Sequence, residues 1–229
     1  MARGGAQRIP RPATWSPGGP ADWTGRDLTA LTSFGALNDA LHERIAPRAP
    51  GEHQPPYVPQ QMPRRSAVLI ALHDSPDGPS VVLTRRTAHL SSHKGEMSFP
   101  GGRVDEGETL LQAAVREAQE EINLDPELVN PVGELDSLST IVSQSAIHPI
   151  VATIGAFPQL RAHEAEVERI VHVPLLELAS AETYRREVWM RDGLPFDIHF
   201  FEIEGDTVWG ATGRMLHQLL DLLTAPQTA

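Results

Sequence analysis

Between residues 101 and 124 the chain reads GGRVDEGETLLQAAVREAQEEINL, and no other stretch limits the fold as much. A glycine pair is followed by a short loop and then by a segment of helical period. Thr109 and Gln112 have capping-box spacing, so the helix is expected to start there and to run over 109–122. Leu111, Val115, Ala118 and Ile122 follow the 3, 4 spacing of one apolar stripe. Glu117, Glu120 and Glu121 stand at i, i+3 and i+4 on another face, roughly 140° away at 100° per residue. Asn123 falls at the end, where its tolerance of left-handed backbone suits a helix stop.

Three carboxylates on one helical face repel each other by a few tenths of a kcal/mol per i,i+4 pair. Arg116 is the nearest cation, but it is expected to point elsewhere. The cluster makes sense with a hard cation against it, and carboxylate oxygens suit magnesium, manganese or calcium. The alternating oxygen donors of a calcium-binding EF-hand loop are absent, so magnesium, completed by water and phosphate, fits better.

The rest of the chain supplies strands. Ser66–Leu72 is a short apolar run, SPDGP a turn, and SVVLT (80–84) a hairpin partner. Further strands are expected near 132–142, 147–154, 167–173, 186–190 and 196–203, with a short helix at VPLLELA and a closing helix from Ala211 to Leu223. Residues 1–24 are rich in Pro and Gly and are expected to be disordered. Residues 25–63 should hold a helix from Asp27 to Ile45, with Leu28, Leu31, Phe34, Leu37, Leu41 and Ile45 as its stripe, and then a proline-rich connection. Residues 64–225 form the expected main domain, an α/β fold with one mixed β-sheet packed between α-helices.

Composition removes several functions. There are no cysteines, which excludes disulfide scaffolds, cysteine nucleophiles and thiolate metal sites, and suits a reducing cytoplasm. The net charge is −11, so a broad nucleic-acid-binding face is not expected. No apolar run approaches the ~20 residues of a membrane span, and the N-terminus has no signal-peptide core. The histidines show no zinc-binding spacing.

The spacing Gly102-x5-Glu108-x7-Arg116-Glu117-Ala118-x-Glu120-Glu121-x-x-Leu124 resembles the Nudix box, with Asn123 in place of the late glycine. Upstream, VLTRRTAHLSSHKGEMSFPGG (82–102) is similar to the signature of the coenzyme A pyrophosphatase branch of the Nudix hydrolases. The matching positions are Leu83, Thr84, Arg86, Leu90, His93, Gly95, Phe99, Pro100, Gly101 and Gly102. VWGAT (208–212) resembles a further stretch of that branch. The resemblance covers about residues 64–223 and implies a Nudix fold. It implies hydrolysis of the pyrophosphate in coenzyme A or its thioesters, giving 3′,5′-ADP and 4′-phosphopantetheine or its acyl form, with Mg2+ as cofactor and Mn2+ as a substitute. Other nucleoside diphosphate derivatives, such as ADP-ribose, NADH or a nucleotide sugar, are the alternative substrates, and a non-catalytic nucleotide-binding module the alternative class.

By the same resemblance Glu117 and Glu121 are metal ligands, and Glu120 is a ligand or the general base. Glu108 and Arg116 orient these ligands, and Arg116 is placed among the catalytic group. The Gly101–Gly102 backbone brings a carbonyl near the metal. Glu166, in the loop before a strand, is the expected further carboxylate, with Glu164 and Glu168 as rivals. The phosphates of the substrate would take Arg85, Arg86, Lys94, Arg103 and His93. Trp209 is expected to be a core residue rather than a base-stacking platform. The partner is a small nucleotide, with no nucleic acid and no membrane, and the chain is taken as a monomer or homodimer.

Overall fold

The computed structural model describes residues 3–5, 7, 9–46, 52–53, 64–87, 95–140 and 145–226. Strands β1 (Trp15–Pro17), β2 (Glu52–His53), β3 (Arg64–His73), β4 (Ser80–Arg86), β5 (Met97–Ser98), β6 (Gly101–Arg103) and β7 (Asn130–Glu134) come first, with helices α1 (Phe34–Arg44) and α2 (Leu110–Ile122) among them. Then follow β8 (Ser137–Thr140), β9 (Ser145–Thr153), β10 (Val167–Pro174), α3 (Leu175–Ala179), β11 (Tyr184–Arg191), β12 (Leu194–Ile203), β13 (Asp206–Val208) and α4 (Gly210–Leu223).

The expected single sheet is two sheets. The larger is mixed, in the order β10-β4-β3-β9-β8-β2, with β5 added to β4, β6 to β3 and β7 to β9. Its central pair, β3 and β9, is parallel over nine residues from Arg64↔Ser145 to Leu72↔Thr153. The second is antiparallel, in the order β1-β11-β12-β13. Short apolar strands announce themselves in sequence, but their assignment to one sheet or another is made by partners far along the chain.

Helices cover both faces of the larger sheet, as expected of an α/β fold. Ala113, Ala114, Ala118 and Ile122 of α2 pack on Ala67, Leu69, Ala71, Val82, Ile150 and Ala152. Alanines on both sides let the helix lie close to the sheet. On the opposite face Ile70, Leu72, Val81 and Leu83 meet Leu37 and Leu41 of α1, Phe201 of β12 and Leu216, Leu219 and Leu220 of α4. Strand alternation with period two divides β3 and β4 between these two cores.

The helix expected over Asp27–Ile45 is broken. A 3-10 turn at Thr29–Leu31 precedes α1, and Ser33 caps the true start by accepting from the Ala36 N–H at 3.2 Å. Asp27 accepts from the Thr29 N–H at 2.9 Å. Side-chain bonds of this kind offer the backbone an alternative to helix. The buried stripe survives the break, with Leu31, Leu37, Leu41 and Ile45 fully buried.

The disorder expected over 1–24 does not hold for residues 9–24. Trp15–Pro17 adds an edge strand to β11, and the Gly18 N–H donates to the Arg186 carbonyl at 2.8 Å. Trp23 is buried, its Nε1–H donating to the Ala179 carbonyl at 2.8 Å and its ring 4.8 Å from that of Tyr184. Composition cannot reveal this, because one tryptophan and a few backbone bonds anchor an otherwise polar stretch. Trp23→Phe removes that bond and some packing. The expected loss is about 1–2 kcal/mol of unfolding free energy, measurable by denaturant titration.

Among the described residues, no helix is long and apolar enough to cross a membrane.

Candidate active site

The β3–β4 hairpin pairs only at Leu72↔Val81 and His73↔Ser80 and then splays open. β6 fills the gap beside β3 at Ser66–Val68, and β5 pairs with β4 at Thr84–Arg85. Phe99 is buried, and the Pro100 carbonyl accepts from the Leu69 N–H at 2.9 Å. This fixes the glycine turn against the centre of the sheet, where α2 passes over it.

α2 forms as its ends predict. Thr109 and Gln112 make the full capping box, and Asn123 closes the helix at φ 53°. The buried face, however, is Ala113, Ala114, Ala118, Glu121 and Ile122. It is turned from the expected stripe by roughly 70° toward the glutamates. Leu111 and Val115 are half-buried and line an open surface depression with Glu106, Arg116 and Gln119. The rotation follows from packing, since the small alanines fit the sheet more closely than Leu111 and Val115 do.

The turn of α2 drives its carboxylates inward. Glu121 is 4% exposed and accepts from the Gly101 N–H at 3.1 Å, with Arg86 Nη1 at 3.5 Å. Burial pushes its carboxyl from 4.5 up to about 7, the Gly101 N–H and Arg86 pull it down, and Glu117 and Glu166 push it up further. Glu117 is raised as well, first by burial, then lowered by Arg116 and raised by Glu120 and Glu166. A Cβ on Gly102 would lie 2.4 Å from the Glu117 carboxyl, so the absence of a side chain there makes room for this carboxylate. Glu120 is the exposed member of the three, with 59% of its side chain accessible.

Arg116 does not point elsewhere. Nε and Nη2 bind Glu108 at 2.8 and 3.1 Å, Nη1 donates to Glu117 and Glu120 at 3.0 and 3.1 Å, and Nη2 also reaches the Arg103 carbonyl at 3.0 Å. The bidentate pair with Glu108 lowers that carboxyl and raises the guanidinium. Arg116 thus bonds three carboxylates at once, Glu108, Glu117 and Glu120.

The loop before β10 is fastened to the end of α2. The His163 N–H donates to the Glu121 carbonyl and the Arg161 N–H to the Ile122 carbonyl, each at 2.9 Å. The Thr87 N–H then donates to the Glu166 carbonyl at 2.9 Å. Of the three rivals, Glu166 is the one whose charge acts on both Glu117 and Glu121. Glu164 is exposed, and Glu168 turns to Arg85 Nε at 3.4 Å. A β-bulge sorts them, since Val167 pairs with Arg86 and Arg169 with Arg85, leaving Glu168 as the extra residue.

The cations expected to bind substrate separate. Arg86 lies on the α2 side, beside Glu121. Arg85, one residue earlier on the strand, faces the second sheet and pairs with the fully buried Asp206 at 3.2 Å. Arg85, expected at the substrate, instead faces away from Glu121, because alternation along β4 sends it to the other side of the sheet. Arg103 is exposed at the end of β6. His93 and Lys94 lie outside the described residues. Trp209 is half-buried with its ring 6.3 Å from that of Trp189, a packing position. Asp206 was not foreseen, and a lone Asp in an EGD turn carries no sequence signal of burial.

A family model for the NUDIX domain matches residues 62–192. The chain belongs to the Nudix family. The Nudix hydrolase NudL of Photorhabdus laumondii is 34% identical over 157 residues, covering 68% of this chain and 83% of that protein. NudL of Yersinia pestis is 33% identical over 159 residues, covering 68% and 78%. Among solved structures, a MutT/nudix family protein from Enterococcus faecalis superposes with a TM-score of 0.47 at 15% identity, over 82% of this chain and 68% of that one.

Nudix hydrolases generally use a divalent metal ion, and the donor set here fits one. Among the described residues no three acidic or imidazole side chains stand placed to hold a metal ion. Glu117, Glu120, Glu121 and Glu166 are hard oxygen donors around the glycine turn, and two of them carry carboxyls raised by burial and mutual repulsion. A divalent cation relieves both strains at once.

Proposed function

We propose that this Nudix hydrolase, which acts on the pyrophosphate of a nucleoside diphosphate derivative, takes coenzyme A or its acyl derivatives as substrate. The products are then 3′,5′-ADP and 4′-phosphopantetheine or its acyl form. One observation carries the reading. The segment that resembles the coenzyme A signature, from Leu83 to Gly102, is the one that brings Arg86 and the Gly101 N–H to Glu121 and leaves room at Gly102 for Glu117. The proximity of Arg86 and Gly101–Gly102, both in the stretch that suggests the substrate, to Glu121 and Glu117 supports this reading.

Glu117, Glu121 and Glu120 would hold Mg2+, or Mn2+ in its place, with the Gly101 carbonyl as a further oxygen. The ion, when bound, neutralises phosphate oxygens and lowers the pKa of a coordinated water. Glu166, close to Glu117 and Glu121, accepts the proton of the attacking water. The water oxygen bonds to phosphorus, the bridging P–O bond breaks, and the departing phosphate carries away the bridging oxygen. Arg116 keeps Glu117 and Glu120 oriented through the reaction. Arg86, shared between Glu121 and the substrate, meets a phosphate oxygen, Arg103 and Lys94 supply further positive charge for the 3′-phosphate, and His93 contacts phosphate.

Incubation of the protein with coenzyme A and Mg2+, followed by mass detection, is expected to give phosphopantetheine and 3′,5′-ADP. Chelation should stop the reaction and Mn2+ restore it. Dephospho-coenzyme A should be a poorer substrate. Faster cleavage of ADP-ribose, NADH or a nucleotide sugar than of coenzyme A under the same conditions overturns the assignment.

A further inference from the structure

The bulge that aims Glu166 at the carboxylate centre has an anchor on the far side of the sheet. Asp206, on β13 of the second sheet, is fully buried. Its carboxylate takes Arg85 Nη1 at 3.2 Å, Gln7 Nε2 at 2.9 Å and Arg169 Nη2. Arg85 and Arg169 are register partners on β4 and β10, and the extra residue, Glu168, lies between Val167 and Arg169. Arg169 Nη2 also donates to the Glu204 carbonyl at 3.2 Å, which ties β10 to the same turn of the second sheet.

We propose that Asp206 is a positioning residue for the metal-binding carboxylates. Two guanidinium groups side by side on neighbouring strands repel each other unless an anion stands between them. Asp206 is the anion that reaches both and draws them to the second-sheet face, while the exposed Glu168 meets Arg85 alone, at 3.4 Å. With Arg85 and Arg169 held there, Arg86 and the Glu166–Val167 segment are committed to the α2 face. Arg86 meets Glu121 there, and Glu166 acts on Glu117 and Glu121. Without the clamp, the two strands gain by closing the bulge. A regular register puts Glu168 opposite Arg86 and carries Glu166 one position out of the site.

The proposal rests on the reading that these carboxylates hold a divalent ion, but not on the identity of the substrate. The test is therefore Mn2+ binding by paramagnetic resonance in the absence of nucleotide, together with amide hydrogen exchange of residues 161–170 in metal-free protein. Asp206→Asn keeps shape and removes charge. It is expected to weaken Mn2+ binding by about 10–100-fold, the range for residues that act through a ligand, and to speed exchange at Thr87 and in 161–170. Arg169→Gln, at a partly exposed position, should shift both readouts in the same direction, and it decides the question if Asp206→Asn does not fold. The double variant should be no worse than Asp206→Asn alone. Mn2+ affinity within twofold of wild type in the folded variants overturns the proposal, whatever happens to the melting temperature. Wild-type protein that binds no Mn2+ overturns both this proposal and the reading of the carboxylate centre. Wild-type protein that binds Mn2+ but leaves coenzyme A uncut overturns only the substrate assignment.

Discussion

Glu121→Gln is expected to lower turnover by about three orders of magnitude while making the metal-free protein more stable at pH 8. The two effects have one cause. The Glu121 carboxyl is 4% exposed and, without metal, is pushed by burial from 4.5 up to about 7. Below pH 4.5 the group is protonated in both the folded and the unfolded chain, and its burial carries no charge penalty. As pH rises from 4.5 through 7, the unfolded chain releases the proton first, and the folded state loses stability. Above pH 7 the penalty is complete, on the order of 3 kcal/mol. The amide of the variant keeps an oxygen for the Gly101 N–H and carries no charge, so the Glu121 contribution to the pH dependence should be missing over this window while that of the other groups remains. Denaturant titrations of metal-free protein at pH 4.5 and pH 8 should therefore show the curves of the two proteins together at the lower pH and apart at the higher. Mg2+ should raise the wild-type midpoint and leave the variant's nearly unmoved. A variant that is less stable than wild type at pH 8 without metal, or that turns over at the wild-type rate, would show that Glu121 is an ordinary structural acid.

Gly101→Ala should cost about 3 kcal/mol of stability, a fall of roughly 6–12 °C in melting temperature for a domain of this size. Gly101 has φ 153°, and a Cβ there would stand 2.4 Å from the Ala67 carbonyl oxygen and 2.6 Å from the Val68 Cα. Those atoms belong to β3, the strand held on one side by nine pairs to β9, so neither can move aside cheaply. The neighbouring glycine is a useful contrast. At Gly102 the obstacle is the Glu117 carboxyl at 2.4 Å, the end of a flexible side chain. Gly102→Ala should spare most of the melting temperature and lose activity by displacing that carboxylate. Thermal melts of both variants check the difference, and equal losses of stability would argue against it.

The sequence already fixes what depends on neighbours a few residues apart. Thr109 with Gln112 and the left-handed Asn123 set the limits of α2, and the period of the helix puts Glu117, Glu120 and Glu121 together. The Gly101–Gly102 pair marked the turn that the helix meets, while the ion pair of Arg116 with Glu108 came only with the fold of the loop between them. The resemblance to the Nudix box rests on these same short spacings.

What lay beyond reach depends on contacts with distant parts of the chain. The helix pattern alone put Leu111 and Val115 in the core, but the alanines of α2 and β3 fit more closely and rolled Glu121 inward instead, leaving Glu120 in solvent. Which way Glu164, Glu166 and Glu168 face is governed at a bulge, and a bulge is a relation between two strands. Arg85 and Arg86 are equivalent as letters, yet the sheet separates them onto opposite faces, one to Asp206 and one to Glu121. The N-terminal segment and the second sheet follow the same rule, since Trp23 is ordered by Ala179 and Tyr184, some 160 residues away. Local order is written in spacing and caps, where each residue needs only its neighbours. Burial, which raises the carboxyls and aims them, is decided only when remote surfaces close over the same helix.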